Sequence, residues 1–113
     1  MKTTKTLKME TMEILEGMID NDYTIENAIY DILNHGCISG VVGDLIYYYQ
    51  TEAFFDRHKK EINALTQELS KDIYGDKYAI YHNLNGGCSK NSLAWFAFEE
   101  TTREIADELE IEY

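Results

Sequence analysis

The chain has 113 residues, within the usual range of one domain, and a chain of this size buries roughly 65% of the surface its unfolded form exposes. Its 21 acidic and 10 basic residues leave a formal net charge of −11, which opposes direct binding to DNA, RNA or an anionic membrane through the same Coulomb term that draws basic proteins to them. Cys37 and Cys88 are too few for a disulfide scaffold, the opening MKTTKTLKME lacks the apolar stretch of a signal peptide, and no apolar run approaches the roughly 20 residues of a spanning helix. The expectation is one helical domain over 1–113, frayed at 1–5, working in a reducing cytoplasm without a cofactor.

There is no proline, and apolar residues recur mostly at spacings of three and four. This predicts a mainly α fold, a compact bundle of four to five helices with one irregular or short β segment near 72–90. The first helix is expected from Thr6 to Asp20, with Leu7, Ile14, Leu15 and Met18 inward and Glu10, Glu13, Glu16 and Asp20 opposite. Thr24 is the expected N-cap of a second, with Ile25, Ala28, Ile29, Ile32 and Leu33 inward and a stop at Gly36.

Ser39 caps an expected third helix, Gly40 to Gln50, whose apolar residues Val41, Val42, Leu45, Ile46 and Tyr49 cover most of its circumference, as in a central buried element. A fourth opens at Thr51 and Glu52 and ends near Lys71, with Phe54, Phe55, His58, Ile62, Leu65 and Leu69 as its stripe. Between turn signals at Tyr74-Gly75-Asp76 and Asn85-Gly86-Gly87, the run Lys77 to His82 reads equally as a short strand, a helical turn or an ordered loop. The last helix, capped by Asn91 or Ser92, places Trp95, Phe98, Thr102, Ile105, Ala106 and Leu109 on one face, with Glu100, Glu104, Asp107 and Glu108 roughly opposite.

The charge is unevenly placed, because Met9 to Asp56 holds ten acidic residues and no Lys or Arg. Carboxylates three or four residues apart on a helix stand about 5 Å apart along its axis, so each acidic face is a line of negative charge. Like charges at that spacing repel by a few tenths of a kcal/mol per pair. An ordinary solvated face carries the same residue types, and what favours a binding role is the presence of two such faces and the cation-free span. The candidate partner-binding residues are Glu10, Glu13, Glu16, Asp20, Glu100, Glu104 and Asp107.

Three consecutive helical residues point 100° apart, so Tyr47, Tyr48 and Tyr49 cannot all enter one core, which makes Tyr47 and Tyr48 candidate contacts. Boundary tyrosines at the core edge are the alternative. Phe96, beside the acidic face, is a candidate anchor, with packing under the preceding loop as its other reading. His35, Cys37, His82 and Cys88 form a Cys2His2 set in kind but without the close ligand pairs of structural zinc sites. Cys37 precedes a helix start where a thiol pKa can fall, yet no orienting carboxylate or oxyanion motif accompanies it, so neither a metal nor an enzyme is expected. His58 reads as a core histidine.

The segments HGCISGVVGDLIYYYQTEAFFDRHKKEI (His35 to Ile62) and NSLAWFAFEETTREIADEL (Asn91 to Leu109) resemble a family of small acidic proteins encoded in bacterial phages and conjugative elements. They cover a little under half of the chain. In size, acidity and helix content the chain is also similar to Ocr-type DNA mimics and to several anti-CRISPR proteins, although Arg57, Lys59 and Lys60 interrupt the negative surface. The family likeness implies a phage or mobile-element setting in a bacterial host cell and no mechanism; the likeness in character, with the acidic faces, points to an antirestriction or anti-CRISPR inhibitor acting without catalysis, a smaller acidic patch covering one basic groove and not a full-length duplex mimic. Its partner would be a protein with a basic groove: a nuclease, CRISPR effector or restriction enzyme. A regulatory interaction module, homodimeric through Tyr47 to Tyr49, is the alternative.

Overall fold

The computed structural model describes residues 5–35, 48–84 and 90–113, and every regular element among them is an α-helix. In chain order these are α1 (Leu7–Gly17), α2 (Ile25–His35), α3 (Tyr48–Arg57), α4 (Lys59–Tyr74), α5 (Ala79–Asn83) and α6 (Lys90–Glu108). They fall into two units. The first, Met1–Tyr47 with Phe98–Tyr113, holds α1, α2 and the C-terminal part of α6; the second, Tyr48–Ala97, holds α3, α4, α5 and the first turns of α6. Among the described residues no helix is long and apolar enough to cross a membrane.

In the first unit, α1 starts where the Thr6 hydroxyl accepts the Met9 N–H at 3.1 Å, one of the donors a helix start leaves open. Leu7, Leu15 and Met18 are buried as the pattern predicts, and Thr11 is buried with them. The helix stops at Gly17, short of the expected Asp20. There the Asp20 carboxylate accepts the Asp22 N–H at 2.8 Å and the Asp20 N–H donates to the Tyr23 carbonyl at 3.0 Å, a side-chain turn that competes with another helical turn.

Thr24 caps α2 as expected, its hydroxyl accepting the Asn27 N–H at 3.2 Å, and α2 buries Ala28, Ile29 and Ile32 and packs on α1. The Tyr23 hydroxyl donates to Asp31 at 2.6 Å; partial burial and that carboxylate push its pKa up to about 12. In α6, Phe98, Thr102, Ile105 and Ala106 are buried, but Leu109 is 46% exposed. The correction has a local cause. Glu110 takes the left-handed conformation (φ 57°) and the Ile111 N–H donates back to the Ala106 carbonyl at 2.9 Å, so the chain turns at the helix end and leaves Ile111 half-buried while Leu109 is exposed.

The expected Gly40 to Gln50 helix lies outside the described residues except for its last three, which belong to α3 of the second unit. That helix runs through Thr51 and Glu52, where a new one was expected to begin. The expected single helix from Thr51 to Lys71 is broken at His58, whose backbone sits at φ −122°, ψ 24° and whose N–H is shared between the Phe54 and Phe55 carbonyls at 3.2 and 3.1 Å. Its ring is buried (4% exposed), edge-on to Phe54 with centroids 5.1 Å apart, and Nδ1 lies 3.6 Å from a Glu61 carboxylate oxygen.

α4 ends on Gly75, left-handed at φ 73°, where the N–H bonds the Lys71 carbonyl at 2.9 Å. The Asp76 carboxylate then accepts the Tyr78 N–H at 3.0 Å and the chain turns into α5. Of the three readings open for Lys77 to His82, the helical turn is the one found. No strand occurs among the described residues, so the short β alternative has no support there, and 85–89 lie outside them. α5 is tied to α4 by the Ile80 N–H donating to the buried Ser70 hydroxyl at 3.1 Å and the Tyr81 hydroxyl donating to Asn63 Oδ1 at 2.7 Å. Lys90, opening α6, pairs with Asp56 of α3 at 2.9 Å.

The Ser70 hydroxyl also donates to the Thr66 carbonyl at 2.7 Å, so one buried oxygen serves both helices. Ser70→Ala leaves the Ile80 N–H buried without an acceptor, and the expected cost is ~1–3 kcal/mol in denaturant unfolding. Hydrogen exchange checks the cause: Ile80 should lose amide protection while Leu15 and Ile29 keep theirs, and unchanged protection at Ile80 counts against this bond.

Candidate functional site

The boundary between the units sorts the charge. Met1–Tyr47 with Phe98–Tyr113 carries fifteen acidic and four basic residues, whereas Tyr48–Ala97 carries six of each. The whole formal charge of −11 therefore belongs to the first unit. Both acidic rows read from the sequence, on α1 and on the end of α6, belong to it.

Lys8 ties the first turn of α1 to the row on α6. From the first turn of α1 its Nζ donates to Glu108 of α6 and lies 3.7 Å from Glu104. The hydrogen bond to Glu108 raises the Lys8 pKa against a smaller opposing effect of desolvation, and the negative charges of Glu108 and Glu104 raise it further. Lys5 pairs with Glu13 at 2.8 Å and Arg103 with Glu100 at 2.7 Å, one turn apart on α6. The Arg103 guanidinium also lies 5.9 Å from the Tyr113 ring centroid, and the Tyr113 hydroxyl donates to Asp107 at 3.2 Å. Each described cation of this unit is thus engaged by a carboxylate of the rows.

Of the predicted contact residues, Glu13, Glu16, Asp20, Glu104 and Asp107 are exposed, and Glu10 and Glu100 are half-buried. Asp20 stands in the turn after α1, off the helical row. Phe96 is half-buried and belongs, like Tyr48, to the neutral unit, while Tyr47 lies outside the described residues. Cys37 and Cys88 also lie outside them, and His82 is exposed on α5. Among the described residues no group of three or more His, Cys, Asp or Glu side chains is placed to hold a metal ion.

Sequence reasoning missed Lys8 as the link, a contact spanning 100 residues with no local signal. It also missed Glu99, half-buried beside the rows. Burial pushes the Glu99 pKa up from its ordinary value of 4.5, the Arg103 charge partly offsets this, and Glu100 adds to it. Chemically, the surface is an array of fixed carboxylates around a few bound cations, suited to meeting a positively charged face.

A family model for a domain of unknown function, DUF7222, matches residues 4–111. The chain belongs to this family. No curated protein and no solved structure matches it. The DUF7222 match takes in both units, and with them every candidate contact residue from Glu10 to Asp107.

The raised pKa of Glu99 has a definite sign in the stability of this DUF7222 domain. The folded form holds that proton more tightly than the unfolded form, so the contribution to stability is complete below the unfolded pKa and is lost as pH rises through the folded value. At neutral pH the half-buried charge is a net cost. Glu99→Gln is expected to raise the melting temperature at pH 7 and to leave it nearly unchanged at pH 3, where the wild-type carboxyl is protonated in both states. An equal gain at both pH values would show that desolvation of the charge is not the cause.

Proposed function

We propose that the chain is a non-catalytic anti-defence inhibitor of a phage or mobile element, whose acidic unit occupies a basic nucleic-acid-binding site on a bacterial protein. A nuclease, a CRISPR effector or a restriction enzyme has the required groove. The observation that carries this reading is the sorting of charge, with the entire −11 in one unit and none in the other. A charge serving solubility alone has no need to be confined in this way. Glu13, Glu16, Glu104 and Asp107 supply the exposed carboxylates, with Asp20 in the adjoining turn. Because Tyr48 and Phe96 belong to the neutral unit, the proposal rests on the carboxylates and not on the aromatics.

The test is a tagged pull-down from bacterial lysate, eluted with a salt ramp, with duplex DNA as competitor and mass spectrometry of the released proteins. The expected result is a nuclease or other DNA-binding protein released at moderate salt and displaced by DNA, because screening weakens exposed charge contacts. Glu16→Lys with Asp107→Lys should reduce capture on the order of tenfold or more at unchanged circular dichroism, whereas Lys60→Glu in the neutral unit leaves it intact. Partners that persist through high salt and ignore DNA would replace the decoy by the interaction module.

A further inference from the structure

The apolar stripe of α4 continues past the part of the unit that covers it. Ile62, Thr66 and Ser70 are buried and Leu65 and Leu69 half-buried, and the same three- and four-residue steps place Ile73 and Tyr74 next on that face. These two are 62% and 61% exposed. Just beyond the Gly75 turn, Tyr78 is 51% exposed, with the Lys77 ammonium 5.3 Å from its ring centroid. Three large apolar side chains within six residues thus stand open at the C-terminal end of α4 and in the turn after it, and Tyr78 also lines a shallow concavity of about 420 Å³ with Lys71, Gly75, Asp76 and Lys77.

We propose that this end of α4 and the turn after it form the interface of a two-fold homodimer, a surface independent of the acidic one. A two-fold axis sets a patch against its own copy, so the patch must be self-complementary in charge as well as apolar. The rim here meets that condition, because Lys71 and Lys77 are matched by Asp72 and Asp76 around Ile73, Tyr74 and Tyr78. The acidic unit fails it: fifteen carboxylates against four basic residues repel a second copy. A second copy is therefore the occupant assigned to this surface at the C-terminal end of α4.

Sedimentation velocity of the full chain across the micromolar range tests the proposal. The expected result is a reversible dimer that does not dissociate as salt is raised. Ile73→Asp should weaken it on the order of tenfold or more while circular dichroism stays unchanged, since the side chain is exposed in the single chain. Should that variant misfold, Tyr78→Ser, beyond the helix end, reads out the same surface. A monomer at all concentrations, a dimer indifferent to both substitutions, or one that falls apart with salt overturns the proposal. Glu16→Lys should leave the association state as it is in the wild type, so failure of the decoy reading and failure of this one are separable.

Discussion

Fifteen carboxylates gathered in one small unit repel one another, and the fold of that unit depends on what offsets the repulsion. Burial of Leu15, Ile29, Ile32, Phe98 and Ile105 supplies the attraction, at roughly 25 cal/mol per Å² of apolar surface removed from water. The last turn of α6 has no basic residue of its own, although its free carbonyls already make that end negative and Asp107 and Glu108 add to it. Lys8, arriving from α1, places a cation between Glu104 and Glu108 at the point where the helix needs one.

The interior follows a second rule that composition hides. Thr11, Thr66 and Thr102 are fully buried on apolar faces, and each hydroxyl donates to the carbonyl four residues earlier at 2.7–2.8 Å. A hydroxyl satisfied within its own helix packs as a small side chain and avoids the penalty of a buried unpaired group. Among the described residues no buried side-chain nitrogen or oxygen lacks a partner. Ser70 extends the rule, because its oxygen, already donating backward, accepts the Ile80 N–H and so fixes where α5 lies on α4.

These rules explain what was legible in the sequence. The caps Thr6 and Thr24 and the stripes through Leu15, Ile29 and Phe98 are local signals that the structure keeps, because side chain and backbone agree over a few residues. The break at His58 was hidden because its neighbours keep helical spacing on both sides; a buried ring at non-helical dihedrals writes nothing into the apolar pattern. Asp20 and Leu109 were misplaced for a common reason: each lies just past a helix end, where turn hydrogen bonds override the period. The acidic rows were legible as rows, but the pairing of Lys8 with the α6 row depends on tertiary packing between residues 100 apart.

The internal ion pairs also shape what the proposed decoy can imitate. A phosphate backbone carries one charge per about 3.4 Å on each strand, with mobile counterions, whereas a helical row carries one per about 5 Å, and here Lys5, Lys8 and Arg103 are covalently fixed counterions that no partner can release into solution. Binding a basic groove therefore gains less from counterion release than DNA binding does. What the surface retains in full is the long-range field of the −11 carried by the first unit, the term that would steer the proposed basic partner before contact. Speed and direction of encounter follow from that field, and affinity must come from how closely the groove fits the exposed carboxylates.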